Sequence, residues 1–203
     1  MSISIYTVQE NQIDQASSLL AAAFQCDPLF VQVFSDAEDR ARLLPWFFGV
    51  DVRYACRFGL ALAVGEPLAG VANWLTPDEP TYTEDHLEAV GASQAPEVLG
   101  REQFKLLLDI GTYIDAQFKP QLPDRYWMCE TIGVDQAVQG SGIGSALLDT
   151  VHERSDQDGN PCALWTTQPR AVPFYLRRGY DLVCEGTEPQ SGLSFWGFMR
   201  TPQ

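Results

Sequence analysis

The sequence predicts an α/β (α+β) fold, on three observations. Short apolar runs of strand character alternate with longer stretches whose apolar residues recur at helical spacing. Glycines 140, 142 and 144 lie between one such run and one such stretch. The chain of 203 residues is 45% hydrophobic and 20% charged, the make-up of one soluble globular domain with a sizeable core.

The elements follow in order. A first strand carries Ile3, Ile5, Tyr6 and Val8, and a helix over 12–24 places Ile13, Ala16, Leu19, Leu20 and Ala23 on one face. Asp27-Pro28 ends it. A second helix over 38–56 carries Leu43, Leu44, Phe47, Val50 and Tyr54, and Pro45 with Gly49 predicts a break inside it. The runs 60–64 and 69–75, joined by Gly65-Glu66-Pro67, read as a hairpin. Residues 76–100, rich in Pro, Glu, Asp and Gly, read as a surface excursion with a short helix near 84–90. A helix over 96–117 stops at Pro120 and Pro123. The second half is regular: strand 126–134, helix 140–155 stopped by Asp158-Gly159-Asn160-Pro161, strand 162–166, short helix 171–177, and strands 180–185 and 193–200.

Charge narrows the partners. There are 27 acidic and 13 basic residues, a net of −14, and only two of the basic residues are lysines, Lys105 and Lys119. Nucleic acids and anionic membranes need clustered positive charge, so neither is expected as a partner. The acidity suits a cationic small substrate, or serves solubility alone. The five cysteines are scattered, with no Cys-x-x-Cys pair, so no metal site and no disulfide framework is expected, and the cytoplasm is the expected compartment. No apolar run reaches the ~18 residues of a membrane span, and the first residues lack the basic and apolar regions of a signal peptide.

The segment Thr131-Ile-Gly-Val-Asp-Gln-Ala-Val-Gln-Gly-Ser-Gly-Ile-Gly-Ser carries the most chemistry. A strand ends at Val134 and a glycine-rich turn opens a helix, so free backbone amides converge without side chains in the way, as an anion site needs. Ser145 stands where a dinucleotide fingerprint needs its third glycine, and no lysine follows the turn as an NTP-binding loop requires. The stretch Gln139-x-x-Gly142-x-Gly144, preceded by Ile-Gly-Val-Asp and followed by Leu147-Leu148, resembles the acyl-CoA motif of the GCN5-related N-acetyltransferases. The resemblance implies a single domain over 1–203 with a mixed central sheet of about six to seven strands flanked by helices. It implies acetyl-CoA as cosubstrate, bound by a core over about 126–185. Ile132 and Val134 would bond the pantetheine arm, and Gln139, Gly140, Ser141, Gly142, Ile143, Gly144 and Ser145 the pyrophosphate.

A second stretch, Pro173-Phe-Tyr-Leu-Arg-Arg-Gly-Tyr-Asp, is similar to that family's later signature. The resemblance makes Tyr175 the acid that protonates the departing thiolate, a role open to a phenol of pKa ~10. Asn is frequent a few residues before this motif in the family, whereas Gln168 to Val172 fill the gap here. Acetylation of an amine also needs a base or a water to take a proton. Glu130, the one carboxylate in strand 126–134, is a candidate base or substrate anchor, since apolar neighbours raise a carboxylate's pKa. Period-two counting puts it on one face with Met128 and Ile132, subject to any bulge in the strand. An arginine partner or a solvent-facing position is the alternative. His86, in the excursion, and His152, read as a surface residue, are weaker candidates.

Phe24, Asp27, Phe30 and Trp74 are the candidate acceptor-binding residues, with Tyr113, Trp196 and Glu79 behind them; a core role for the aromatics is the competing reading. Ala21 to Phe30, Asn73 to Glu79, Glu130 to Val134 and Pro173 to Tyr175 look like the bacterial branch of the family that includes puromycin N-acetyltransferase. The expected activity is acetyl transfer to a small-molecule amine by direct attack, without an acyl-enzyme, since no cysteine sits beside a histidine in a recognisable motif. A non-catalytic acyl-CoA sensor and a protein or peptide N-acetyltransferase are the alternatives. A monomer or a homodimer fits equally.

Overall fold

The computed structural model describes residues 3–203. A seven-stranded mixed sheet runs through it in the order β1-β2-β3-β4-β5-β7-β6. The strands are β1 (Ile5–Thr7), β2 (Leu60–Val64), β3 (Gly70–Leu75), β4 (Trp127–Val134), β5 (Cys162–Thr166), β6 (Asp181–Thr187) and β7 (Ser194–Arg200). Every neighbouring pair is antiparallel except β4 and β5, which run parallel. The helices are α1 (Ile13–Ala23), α2 (Pro28–Val33), α3 (Ala37–Phe58), α4 (Glu84–Ala89), α5 (Ala95–Val98), α6 (Arg101–Phe118), α7 (Ile143–Asp158) and α8 (Val172–Arg177).

Helices cover both faces. Ala61, Ala63 and Val71 pack towards α1, α3 and α6 in one apolar core. Leu60, Leu62, Ala72 and Trp74, the alternate residues of the same strands, pack with Leu147, Leu148 and Val151 of α7 in the other. Helix α1 crosses β4 closely: a Cβ on Gly133 would lie 2.8 Å from a Leu20 methyl. That contact sets the end of α1, and hence Phe24, over the middle of the sheet.

Helix α2 lies where the sequence reading has only a break, and two longer helices also depart from that reading. Helix α3 runs unbroken from Ala37 to Phe58 through Pro45. A proline removes one intrahelical donor and costs a few kcal/mol, but Leu44, Phe48, Val52 and Ala55 form a buried stripe along both sides of it. Asp36 caps the start by accepting from the amides of Glu38 and Asp39. Conversely, the helix expected over 96–117 is two, α5 and α6, because Gly100 takes φ +90°, outside helical space.

The sheet's central feature is a splay. Strands β4 and β5 are in register only at Trp127–Cys162 and Met128–Ala163. Beyond Met128 the β5 side of β4 has no strand partner, so main-chain groups of residues 129–134 form an open edge inside the sheet. β4 also carries a bulge. Its pairing with β3 passes from Asn73–Thr131 to Trp74–Cys129 and leaves Glu130 as the extra residue. The bulge resets the alternation. Ile132 and Val134 pack with the α7 core, as does Cys129, while Met128 packs in a third apolar cluster with Tyr54, Leu75 and Phe118. Glu130 therefore does not share a face with Ile132, contrary to simple alternation.

Candidate active site

The turn between β4 and α7 is solvent-exposed from Asp135 to Gly142. Asp135 caps a short helical turn by accepting from the Ala137 amide at 2.8 Å, and the Gln139 side chain donates to the Val134 carbonyl at 3.2 Å. Gly140 and Gly142 have φ of +82° and +91°, which any Cβ would strain, and the space where a Cβ would sit is open. Helix α7 starts at Ile143, the first of its apolar positions and three residues after the start at 140 expected from the sequence, because Gly142 lies in the left-handed region. The first intrahelical bond is donated by Ala146 to Gly142. The amides of Ile143, Gly144 and Ser145 therefore have no helical acceptor, and they point out of the N-terminus along the axis, at the positive end of the dipole. Ile143 offers the turn its amide alone, since its side chain is buried. An anionic phosphodiester fits such a turn.

The open edge of β4 leads from this turn to a cavity of about 240 Å³. Phe24, Leu29, Phe30, Phe47 and Leu107 wall it from the helices, Cys129 to Ile132 from β4, and Leu164 to Thr167 from β5. Tyr175 also reaches it, although its ring packs in the α7 core against Phe174, Tyr180 and Phe198. It can do so because β4 and β5 splay there. Burial raises the pKa of the Tyr175 hydroxyl well above its ordinary value, and Cys129 and Asp27 add to the effect. The hydroxyl stays protonated at neutral pH and has no hydrogen-bond partner among the described residues.

Asp27 lies on the same wall. It caps α2 by accepting from the Leu29 amide and also accepts from Thr167 Oγ1, both at 3.0 Å on Oδ1. Burial raises its pKa against those bonds. The turn that holds it is fixed by Arg40, a buried guanidinium that donates to the carbonyls of Gln25, Phe34 and Ser35.

Glu130 is the bulged residue of β4 and faces the cavity on the helix side. Its pKa is pushed up to about 8, first by burial, then by the charges of Asp51 and Asp115. Asp51 was not singled out from the sequence. It sits on the buried face of α3 and accepts from Asn73 Nδ2 at 2.8 Å, Thr131 Oγ1 at 2.6 Å and Tyr82 Oη at 2.8 Å. A second cavity of about 260 Å³ leads on from Glu130 and Tyr82, between residues 80–82 and α6, towards Asp115 and Lys119. Both cavities share Tyr82, Leu107, Gly111, Met128, Glu130 and Trp165.

The structure thus brings together Tyr175, Glu130, Asp27, Phe24 and Phe30 around one cavity. Other candidates lie elsewhere. Trp74 is fully buried on the α7 face, opposite the cavity. Tyr113 packs on Phe195, Trp196 joins the α7 core, and neither lines a cavity at the site. Glu79 faces His86 at 3.2 Å, and the His86 ring stacks on Phe58. His152 is not on the surface: it is 6% exposed and bonds Tyr180 Oη at 3.0 Å, because α7 turns that position onto the sheet. Burial depresses its pKa to about 4.

Known proteins share part of this sequence and the fold. Residues 108–182, from α6 into β6, match the family model described as acetyltransferase (GNAT) domain. The chain is similar in fold to the histone acetyltransferase HPA2 and related acetyltransferase of Corynebacterium glutamicum, at 19% identity and a TM-score of 0.74 over 100% of this chain and 98% of that one. Arylalkylamine N-acetyltransferase 2 of Aedes aegypti gives 17% identity and a TM-score of 0.64 over 98% of both chains. An agmatine N-acetyltransferase gives 18% and 0.61 over 99% of this chain and 100% of that one. The match to the GNAT domain is thus confined to residues 108–182, and the seven-stranded mixed sheet that holds them is the fold shared with these acetyltransferase structures. The matched stretch contains the glycine turn, Glu130 and Tyr175, and leaves Asp27, Asp51 and the excursion outside it.

Proposed function

We propose that this protein transfers the acetyl group of acetyl-CoA to a small-molecule amine by direct attack, within one domain over 1–203 whose donor-binding core spans about 126–185. One observation carries the reading: the open edge of β4 connects a turn of free amides to a cavity that holds both a protonated phenol and a carboxylate of raised pKa. The pyrophosphate of the donor rests on the turn from Gln139 to Ser145, where every amide but that of Ser141, which donates to the Val138 carbonyl as its hydroxyl does, is left for it, and its arm pairs with the edge at Ile132 and Val134, as an added strand would. Acetyl-CoA supplies the acetyl group as a thioester. Tyr175 holds a proton at Oη for the leaving sulfur. Burial keeps that proton on the hydroxyl until the departing thiolate, a base desolvated in the same cavity, is there to take it. Glu130 takes a proton from the acceptor nitrogen, directly or through a water.

The acceptor lies against Phe24, Phe30 and Asp27. An enclosed, aromatic-lined cavity suits a small amine better than a peptide, which needs an open groove. The names of similar proteins that act on arylalkylamines and agmatine support an amine acceptor, as does the resemblance of the sequence to the puromycin-acetylating branch. The net charge of −14 favours a cationic acceptor over nucleic acid or anionic lipid. Five free cysteines, two of them exposed, fit the reducing cytoplasm.

The test is a calorimetric titration with acetyl-CoA, followed by an amine panel read by CoA release. Binding with turnover on an amine is expected. Binding without turnover on any amine or peptide would favour a sensor, and absence of binding would remove the donor assignment.

A further inference from the structure

We propose that Asp51 is a positioning residue for the reaction, acting through Glu130 as the uncompensated anion on the far wall of the cavity. This rests on Glu130 being the proton acceptor proposed above. The first observation is the lack of a counter-charge. Asn73, Thr131 and Tyr82 all donate to Asp51 and all are neutral. Neither Asp51 nor Glu130 has an ion-pair partner among the described residues. The second observation is the wiring. Thr131 is the neighbour of Glu130, so its bond to Asp51 ties the bulged segment of β4 to α3. Tyr82 ties the excursion to the same carboxylate and packs edge-on against Tyr54 of α3 at 4.7 Å. Burial raises the pKa of Asp51, and the three donors work against that rise, fix it as an acceptor and favour its ionised form.

The groups facing Glu130 can be ranked. From α3 comes Asp51; from α6 comes Asp115, with Lys119 just beyond it; Tyr82 comes from the excursion, Tyr126 precedes β4, and Cys129 adjoins on β4 itself. Asp115 is paired with Lys119 at 2.7 Å and is partly exposed, so much of its field is cancelled and screened. Tyr82, Tyr126 and Cys129 are neutral near pH 7, because burial raises all three. Asp51 is the charge left to act across the cavity. Together the two carboxylates keep at least one negative charge beside a cavity without a cation of its own. That arrangement admits the acceptor as an ammonium. An N–H bond of the ammonium then breaks as an O–H bond forms on Glu130, which leaves a neutral amine with a free lone pair and a neutral acid. The proton leaves by the second cavity towards Asp115.

The experiment follows the carbonyl stretch of the protonated Glu130 acid by infrared difference spectroscopy from pH 5 to 10, with Glu130→Gln as the blank. It needs neither donor nor acceptor. In the wild-type chain the band should titrate near pH 8. In Asp51→Asn the midpoint should fall by at least one pH unit, with Glu130→Gln/Asp51→Asn as its blank. Asp51→Glu keeps the charge and should leave the midpoint above neutrality, which provides a second reading should the Asn variant not fold. A wild-type Glu130 already ionised at pH 6, an unmoved midpoint in folded Asp51→Asn, or a fall to the ordinary carboxylate range in Asp51→Glu would each overturn the proposal. An amine panel that shows no acetylation while these shifts hold would instead overturn the assignment of Glu130 as base.

Discussion

The replacement of Glu130 by Gln bears hardest on the proposed chemistry. The bulge in β4 turns Glu130 into the cavity, where burial, Asp51 and Asp115 push its pKa up to about 8. A base of that pKa is about one-tenth ionised at pH 7, so the turnover rate at saturating amine should rise about tenfold per pH unit up to 7 and level off above 8. The isosteric Gln variant keeps the shape of the cavity and loses the base, which should lower turnover by ~10²–10⁴. The assay is initial-rate release of CoA thiol from pH 5.5 to 9.5, with wild type and variant side by side. The acceptor's own ionisation adds a limb at higher pH, and that limb should persist in the variant while the one near 8 disappears. A wild-type profile flat from pH 6 to 9, or a variant that keeps the limb near 8, would refute the reasoning.

Other predictions follow from the same geometry. Tyr175→Phe should cut turnover by ~10²–10⁴ while the melting temperature and the affinity for acetyl-CoA, read by calorimetry, stay near wild type, since the hydroxyl has no hydrogen bond to lose. Gly142→Asp forces a side chain into φ +91° and sets a carboxylate among the free amides, so calorimetry should detect an affinity for acetyl-CoA at least ~10²-fold weaker, with the circular dichroism of the fold retained. Glu130 binds its proton more tightly folded than unfolded, so its share of stability is lost as pH rises from the ordinary carboxylate range through 8; Glu130→Gln should therefore gain melting temperature over wild type at pH 9 but not at pH 5. His152 works in the opposite direction. It is held neutral with a pKa near 4, so folding loses stability as pH falls from 6.5 towards 4, and thermal melts of His152→Gln should show a weaker dependence in that window.

The second half of the chain was the most legible, for physical reasons. The strand–turn–helix of 127–158 rests on local signals: an apolar run, glycines at positive φ and a helical apolar pattern. Tyr175 was legible because its motif is contiguous. The face of Glu130 was not, because β4 is apolar on both faces up to the bulge and alternation gives no clue where an extra residue enters. Asp51 carried one usable signal: it falls three residues after Phe48 and beside Val52 on the stripe that also holds Leu44 and Ala55, where a carboxylate has no solvent. Its partners Asn73, Thr131 and Tyr82 are 22, 80 and 31 residues away, beyond any local pattern. Trp74 was misplaced for a related reason: a tryptophan in a hairpin strand faces core or site by parity alone, and β3 turns it towards α7. The length of α3 was decided by packing, against the propensity of Pro45, whereas the break at Gly100 rests on one backbone angle that a glycine adopts freely.

Mass spectrometry of a single turnover tests acetyl transfer by direct attack most immediately. Protein, acetyl-CoA and the amine panel are mixed and quenched, and the small molecules and the intact chain are weighed together. Acetyl-CoA consumed, one amine heavier by an acetyl group and an unmodified chain is the result expected here. An acetyl group retained on the chain at Cys129 or Cys162, or a donor bound but never consumed, would contradict it.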